Sequence, residues 1–268
     1  MFTTNLTSYF HKDSEEWYTR PLNEPPATSF LHSVAAICES VSHCEKALAS
    51  ADDPEESARS ADSLRSFAMS AFAMLMSHFE VFQKLQFAEL INSLDNLSTF
   101  DDLELAKRLE KEGCSITLLR ILSGRGDPRE PGQIIANSLT GWHSPSRVIQ
   151  YFRTIFPAVS IYSNSAATEL ELMWQLRHAI VHTGGVITRE NTVKVPSLRR
   201  FNDRMLVLDG GFIAEVGKRL HLIVKQATDL LQAEVHSRLK KSEFIEDSQA
   251  TIEGLVGCDS PNRAWFEA

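Results

Sequence analysis

Residues 169–186, ELELMWQLRHAIVHTGGV, decide how the rest of the chain is read. Leu170, Met173 and Ile180 recur at helical spacing with Leu172, Leu176 and Ala179 beside them, so a helix buried on most sides is expected. Thr183-Gly184-Gly185 ends it, because glycine takes the left-handed residue after the last turn without a side-chain clash. A purely structural core would avoid Arg177, His178 and His182, since an unpaired buried charge is costly. These residues must reach an edge or meet complementary groups. His182 falls in the last turn, where the helix dipole favours a cation, and a histidine there can accept one proton and donate another. Arg177 adds a fixed charge in a planar fork that matches phosphate. Five residues apart, the two lie about 140° around the helix. The arginine's long stem, or loosening of the helix at the glycines, has to bring them to one place.

Outward from this helix, the most apolar stretch is 67–87, within a helix expected from Pro54 to about Leu94. Asp52-Asp53-Pro54-Glu55-Glu56 starts it with an acidic cap, proline at the first position and carboxylates in the first turn. Being apolar nearly all round, it should be the central element of a bundle. His78 and Glu80 sit inside it, in SHFEVF, and a carboxylate flanked by Phe79, Val81 and Phe82 needs a cation or donors. Arg177 is the candidate partner. A helix from Thr28 or Ser29 to about Ala49 precedes it, and one with the stripe Phe212, Val216, Leu220, Ile223, Ala227, Leu230 and Leu231 closes the pattern.

The segments between are less regular. A short helix opens at Thr99 or Asp101 and stops at Gly113, and another is expected over 115–122. SGRGDPREPG, 123–132, is a loop by its glycine and proline content. Ser144-Pro145 opens a helix ending before Pro157, with His143 just ahead of it as a structural residue. Runs 192–195 and 205–208 look β-like and predict a small hairpin-like annex near 192–208. The expected fold is all-α: a helical bundle with long central helices and that annex. An N-terminal arm (1–27), a helical domain (28–241) and a loosely attached C-terminal tail (242–268) are the expected parts.

At 268 residues and 43% apolar, the chain is long enough for one sizeable core. Its net charge of −8 is unevenly spread, because residues 120–204 carry 11 basic against 6 acidic side chains. Arg120, Arg125, Arg129, Arg199 and Arg200 could gather phosphate at one face, or simply solvate loops. Cys38, Cys44, Cys114 and Cys258 form no C-x-x-C pair and are expected to be free thiols. The nine histidines show no metal-ligand spacing, and the nucleotide, zinc-protease and nucleophile-elbow motifs are missing, so neither metal nor cofactor is expected. The N-terminus has no basic lead followed by an apolar core, and 67–76 is too short to span a bilayer; a cytoplasmic location is expected.

Arg177, the polar His178 after it, three further residues and His182 resemble the Arg-x4-6-His signature of the HEPN superfamily, and RHAIVHTGGV is similar to the form in which Gly-Gly follows shortly after the histidine. The resemblance covers roughly 28–240, with its specific part near 177–185. It implies an α-helical, commonly dimeric, metal-independent endoribonuclease, such as a toxin of a toxin–antitoxin pair or an effector of phage defence. RNA would be the substrate, and an antitoxin or defence-system protein a partner. His182 would be the acid/base and Arg177 the clamp on the phosphorane charge, with His178 and Glu80 orienting them. Because one Arg–His set does not supply both acid and base, a homodimer with a composite cleft is expected. The alternatives are a non-catalytic HEPN-like module that binds RNA or protein or only dimerises, and a helical scaffold whose Arg and His are internally bonded.

Overall fold

The computed structural model describes residues 24–48, 54–94, 97, 101–117, 131–238 and 254–259. The fold is an all-α bundle. In chain order, its elements are α1 (Pro26–Leu48), α2 (Pro54–Asn92), α3 (Asp102–Lys111), α4 (Pro131–Ser138), α5 (Pro145–Ile155), α6 (Asn164–Thr183), α7 (Arg189–Lys194), a 3-10 turn (Pro196–Phe201) and α8 (Gly210–Arg238). No helix among the described residues is long and apolar enough to cross a membrane. The expected arm up to residue 23, the arginine-bearing segment 118–130 and most of the tail lie outside the described residues.

The 39-residue α2 is about 58 Å long and touches α1, α4, α5, α6 and α8. Its apolar content explains that central place. Phe79 is fully buried, with ring centroids 5.6 Å from Phe30, 5.8 Å from Phe82 and 6.4 Å from both Tyr162 and Trp174. A second aromatic knot one stage along packs Phe87 against Trp142 (5.6 Å) and Phe152 (5.7 Å). Pairs of this kind add about 0.5–1.5 kcal/mol beyond the area they bury. Two glutamines of α2 point into the same core, Gln83 bonded through both ends of its amide and Gln86 through its NH2 alone, its Oε1 being buried with no partner among the described residues. Gln83 donates to the Trp142 carbonyl at 3.1 Å and accepts from the Tyr162 hydroxyl at 3.1 Å. Gln86 donates to the Leu255 carbonyl at 2.8 Å.

That last bond reaches the described part of the expected tail. Leu255 and Val256 are buried and the Asp259 amide donates to the Thr28 hydroxyl at 2.9 Å, so this part of the expected tail packs on the bundle. Helix α4 is a difference from expectation. It begins at Pro131, inside a stretch expected to be loop, because Gly132 lets the backbones of α4 and α2 meet. A Cβ on Gly132 would stand 2.1 Å from the Ala88 carbonyl oxygen, and the Gly132 amide donates to Asn92 Oδ1 at 2.7 Å. Residues 115–117 are not helical, and the rest of the helix expected there is outside the described residues.

The annex exists but is not a hairpin of the two β-like runs. Residues 192–195 belong to α7 and its C-cap, not to a strand, because Thr188 and Asn191 form a reciprocal cap that starts a helical turn. Extended pairing forms instead between 185–187 and 203–206. It includes the Val186–Met205 antiparallel bridge, Ile187 N–H to the Arg204 carbonyl (3.0 Å) and Leu206 N–H to the Gly185 carbonyl (2.8 Å). The chain leaving α6 thus becomes one edge of the annex.

Candidate functional site

Helix α6 starts where the Ser163 hydroxyl accepts from the Ala166 amide at 3.2 Å. It ends as the glycines require. Gly184 is left-handed (φ 64°, ψ 25°), and both it and Gly185 donate to the Ala179 carbonyl, the latter at 2.9 Å. The Thr183 hydroxyl contacts the Ala179 and Val186 carbonyls at 2.8 and 2.6 Å. The last turn is therefore pinned from both sides, and it carries the candidate residues.

His178 and His182, one turn apart, bring their ring centroids to 4.5 Å at an angle of 44°. His182 is exposed and His178 half-buried. Two neighbours reach the same face of α6 by separate anchors. Trp174, one turn before His178, holds the exposed His143 ring edge-on at 6.3 Å. Gln175 receives the buried Asn191 of α7, whose side-chain amide donates to its Oε1 at 3.1 Å. Asn191 in turn accepts from the Thr188 amide and hydroxyl, both at 2.9 Å. One turn beyond Asn191 stands Lys194, paired to Glu190 at 3.6 Å.

These groups act on His178 together. Its pKa lies below the ordinary histidine value, first because burial disfavours the charged ring, then because His182, Lys194 and His143 repel a further positive charge; Glu190 opposes them. At neutral pH this holds His178 as a neutral imidazole, able to take a proton. The site therefore offers three imidazoles and an ammonium at one exposed helix end.

The other expected members fall elsewhere. Arg177 is half-buried, about 140° around α6 from His182, and its Nε is buried with no hydrogen-bond partner among the described residues. Glu80 does not pair with it. The Glu80 carboxylate takes the Lys84 ammonium at 2.6 Å, a cation four residues on along its own helix, and so needs nothing from α6. His78 is half-buried and its pKa is lowered by that burial. Among the described residues no three His, Cys, Asp or Glu side chains are arranged to hold a metal ion.

His143 and Lys194 are the residues that sequence reasoning leaves out. His143 stands 35 positions before His178, with no pattern linking them, and reads as structural until Trp174 is seen to seat it. Lys194 is hidden by the β-like look of its segment. On the opposite side of α6 an apolar groove of about 500 Å3 opens between Leu172, Leu176 and the annex residues Leu198, Phe201, Met205 and Val207. In comparisons with known proteins, the chain matches no family model, no curated protein and no solved structure.

Proposed function

We propose that the chain is a HEPN-type, metal-independent endoribonuclease that cleaves RNA by internal attack of the ribose 2′-hydroxyl, working as a homodimer. The observation that supports it is the His178–His182 contact at 4.5 Å at the exposed end of α6. The chemistry requires a proton to leave the 2′-oxygen as it bonds to phosphorus, and another to reach the 5′-oxygen as the P–O5′ bond breaks. The products are a 2′,3′-cyclic phosphate and a free 5′-hydroxyl. Neutral His178 is suited to take the first proton. His182, open to solvent in the last turn of α6, is suited to deliver the second. Lys194 and the protonatable His143 offset charge on the phosphorane, as does Arg177 where its fork reaches the cleft. Glu80 has no part in this scheme, since Lys84 holds it.

Purified protein incubated with RNA in EDTA tests the reading. Cleavage that persists in the chelator and falls at least about 100-fold in His182→Ala supports it. Undiminished cleavage in His182→Ala, or none in the unaltered chain, refutes it.

The apolar groove favours a second reading, a module that binds a protein partner. Met205 and Val207, exposed at 63% and 66%, stand beside it where solvent alone would not select them. An antitoxin or defence-system partner belongs to this reading. Binding of RNA or protein without cleavage would select it.

A further inference from the structure

The annex ends in an extended run with only one of its two edges occupied. Along 205–208 burial alternates, Met205 and Val207 exposed, Leu206 half-buried and Leu208 buried, the two-residue period of a strand. Backbone groups on a strand alternate from edge to edge in the same way, so the register fixes which of them face outward. Val186 and Met205 stand opposite each other in the antiparallel bridge, between the Ile187 N–H to Arg204 carbonyl bond and the Leu206 N–H to Gly185 carbonyl bond. Residues 204 and 206 thus bond toward 185–187, and the N–H and C=O of Met205 and Val207 point the other way. None of those four groups has a partner among the described residues. An open edge of this kind is a template for one more strand.

The surroundings of that edge say what the added strand would carry. Residues 204–208 all line the apolar groove, and since consecutive side chains point to opposite faces, the groove runs along the edge of the run and not over one face. Its rim is cationic. The Arg200 guanidinium lies 4.8 Å from the centre of the Phe201 ring, and Phe201 and Arg204 both line the groove. Neither guanidinium meets a carboxylate among the described residues. The carboxylates of 186–208 are taken: Glu190 is 3.6 Å from the Lys194 ammonium, and Asp203 accepts from the Asn202 amide at 2.6 Å.

We propose that the free edge at Met205 and Val207 takes one strand of an acidic partner peptide, apolar at alternate positions, with carboxylates reaching Arg200 and Arg204. The pairing rests on the partner-binding reading of the groove, to which it adds the partner's conformation and charge. Charge selects this occupant over two others. A second copy of the same edge would bring Arg200 and Arg204 against their own kind. A nucleic-acid backbone would set phosphate oxygens against the Met205 and Val207 carbonyls, acceptor to acceptor, and leave the groove unfilled.

Fluorescence polarisation of the full chain with a labelled peptide of alternating valine and aspartate tests it, with lysine in place of aspartate as the control. The acidic peptide should bind saturably, at least about tenfold more tightly than the basic one. Met205→Asp and Arg204→Glu should each weaken it at least about tenfold with an unchanged circular dichroism melt, since both positions are exposed. Hydrogen exchange followed by NMR reads the strand itself: the bound peptide should slow exchange at the Met205 and Val207 amides. Binding without that protection would overturn strand addition and keep a partner-binding groove. Binding by neither peptide would remove both, and equal binding by the two would overturn the acidic partner. Polyuridylate that displaces the peptide would assign the face to RNA, and a two-chain mass lost in Met205→Asp would assign the edge to a second copy; each overturns the proposal.

Discussion

His178 and His182 differ in what surrounds them, and that difference is what acid–base chemistry can use. His182 faces solvent, whereas His178 is half-buried among positive groups that hold its pKa below the ordinary value. His178→Ala and His182→Ala should each lower RNA cleavage by about 10²–10⁴-fold, the range of a lost general acid or base, with melting temperatures close to the unaltered protein. Exposure explains the second half of that expectation, since neither ring fills the core. The same shift has a thermodynamic sign. His178, His78 and His221 all have folded pKa values below the ordinary 6.5, burial being the first cause in each. As pH falls through 6.5 the unfolded chain takes up more protons at these sites than the folded one, so stability drops. Thermal melts should therefore move to lower temperature between about pH 7.5 and 5.5, and His78→Asn should flatten that slope. A melt that rises on acidification would contradict the assigned direction.

At the scale of elements, two glycines test why the helices stop and touch where they do. At Gly132 α4 lies close against α2, and a Cβ there would meet backbone, which cannot swing aside. Gly132→Ala should cost several kcal/mol, of the order of 3, in urea unfolding. Gly184→Ala has open space but a left-handed backbone, so its cost should be only about 1 kcal/mol. These two sites also mark where the sequence is and is not legible. The helix end at Gly184 is, because Thr-Gly-Gly after a 3.6-period stripe is a local signal. Helices α2, α6 and α8 are legible for the same reason, through long apolar periodicity. Helix α4 is not: its reason is a contact 44 residues away, at Ala88, and glycine and proline in isolation signify a loop. The annex misleads through β-branched residues in 192–195, where the Thr188–Asn191 cap overrides propensity. Within the site, the single-helix residues Arg177, His178 and His182 are visible as departures from an apolar stripe. Their partners are not. Glu80 suggests itself for Arg177, although Lys84 stands four residues away on its own helix, and His143 reaches the site only through Trp174.

For the whole molecule, the proposed function makes one exposed helix end, that of α6, the place where RNA is cut without a metal. Its core gives that end a rigid base: Phe79, in contact with Phe30, Phe82, Tyr162 and Trp174, links α1, α2 and α6. Phe79→Ala should cost about 3–5 kcal/mol in denaturant unfolding and lower cleavage only as far as it lowers the folded fraction. A chain-wide charge of −8 leaves phosphate attraction to the local basic groups, so RNA binding should weaken steeply with salt. The most direct measurement is the chemistry of the cut ends. Mass spectrometry of RNA digested in EDTA should show 2′,3′-cyclic phosphate and 5′-hydroxyl termini, with no cutting of the same RNA carrying 2′-O-methyl riboses. Termini with a 5′-phosphate, or cleavage of the 2′-O-methyl strand, would contradict internal attack and with it the roles given to His178 and His182.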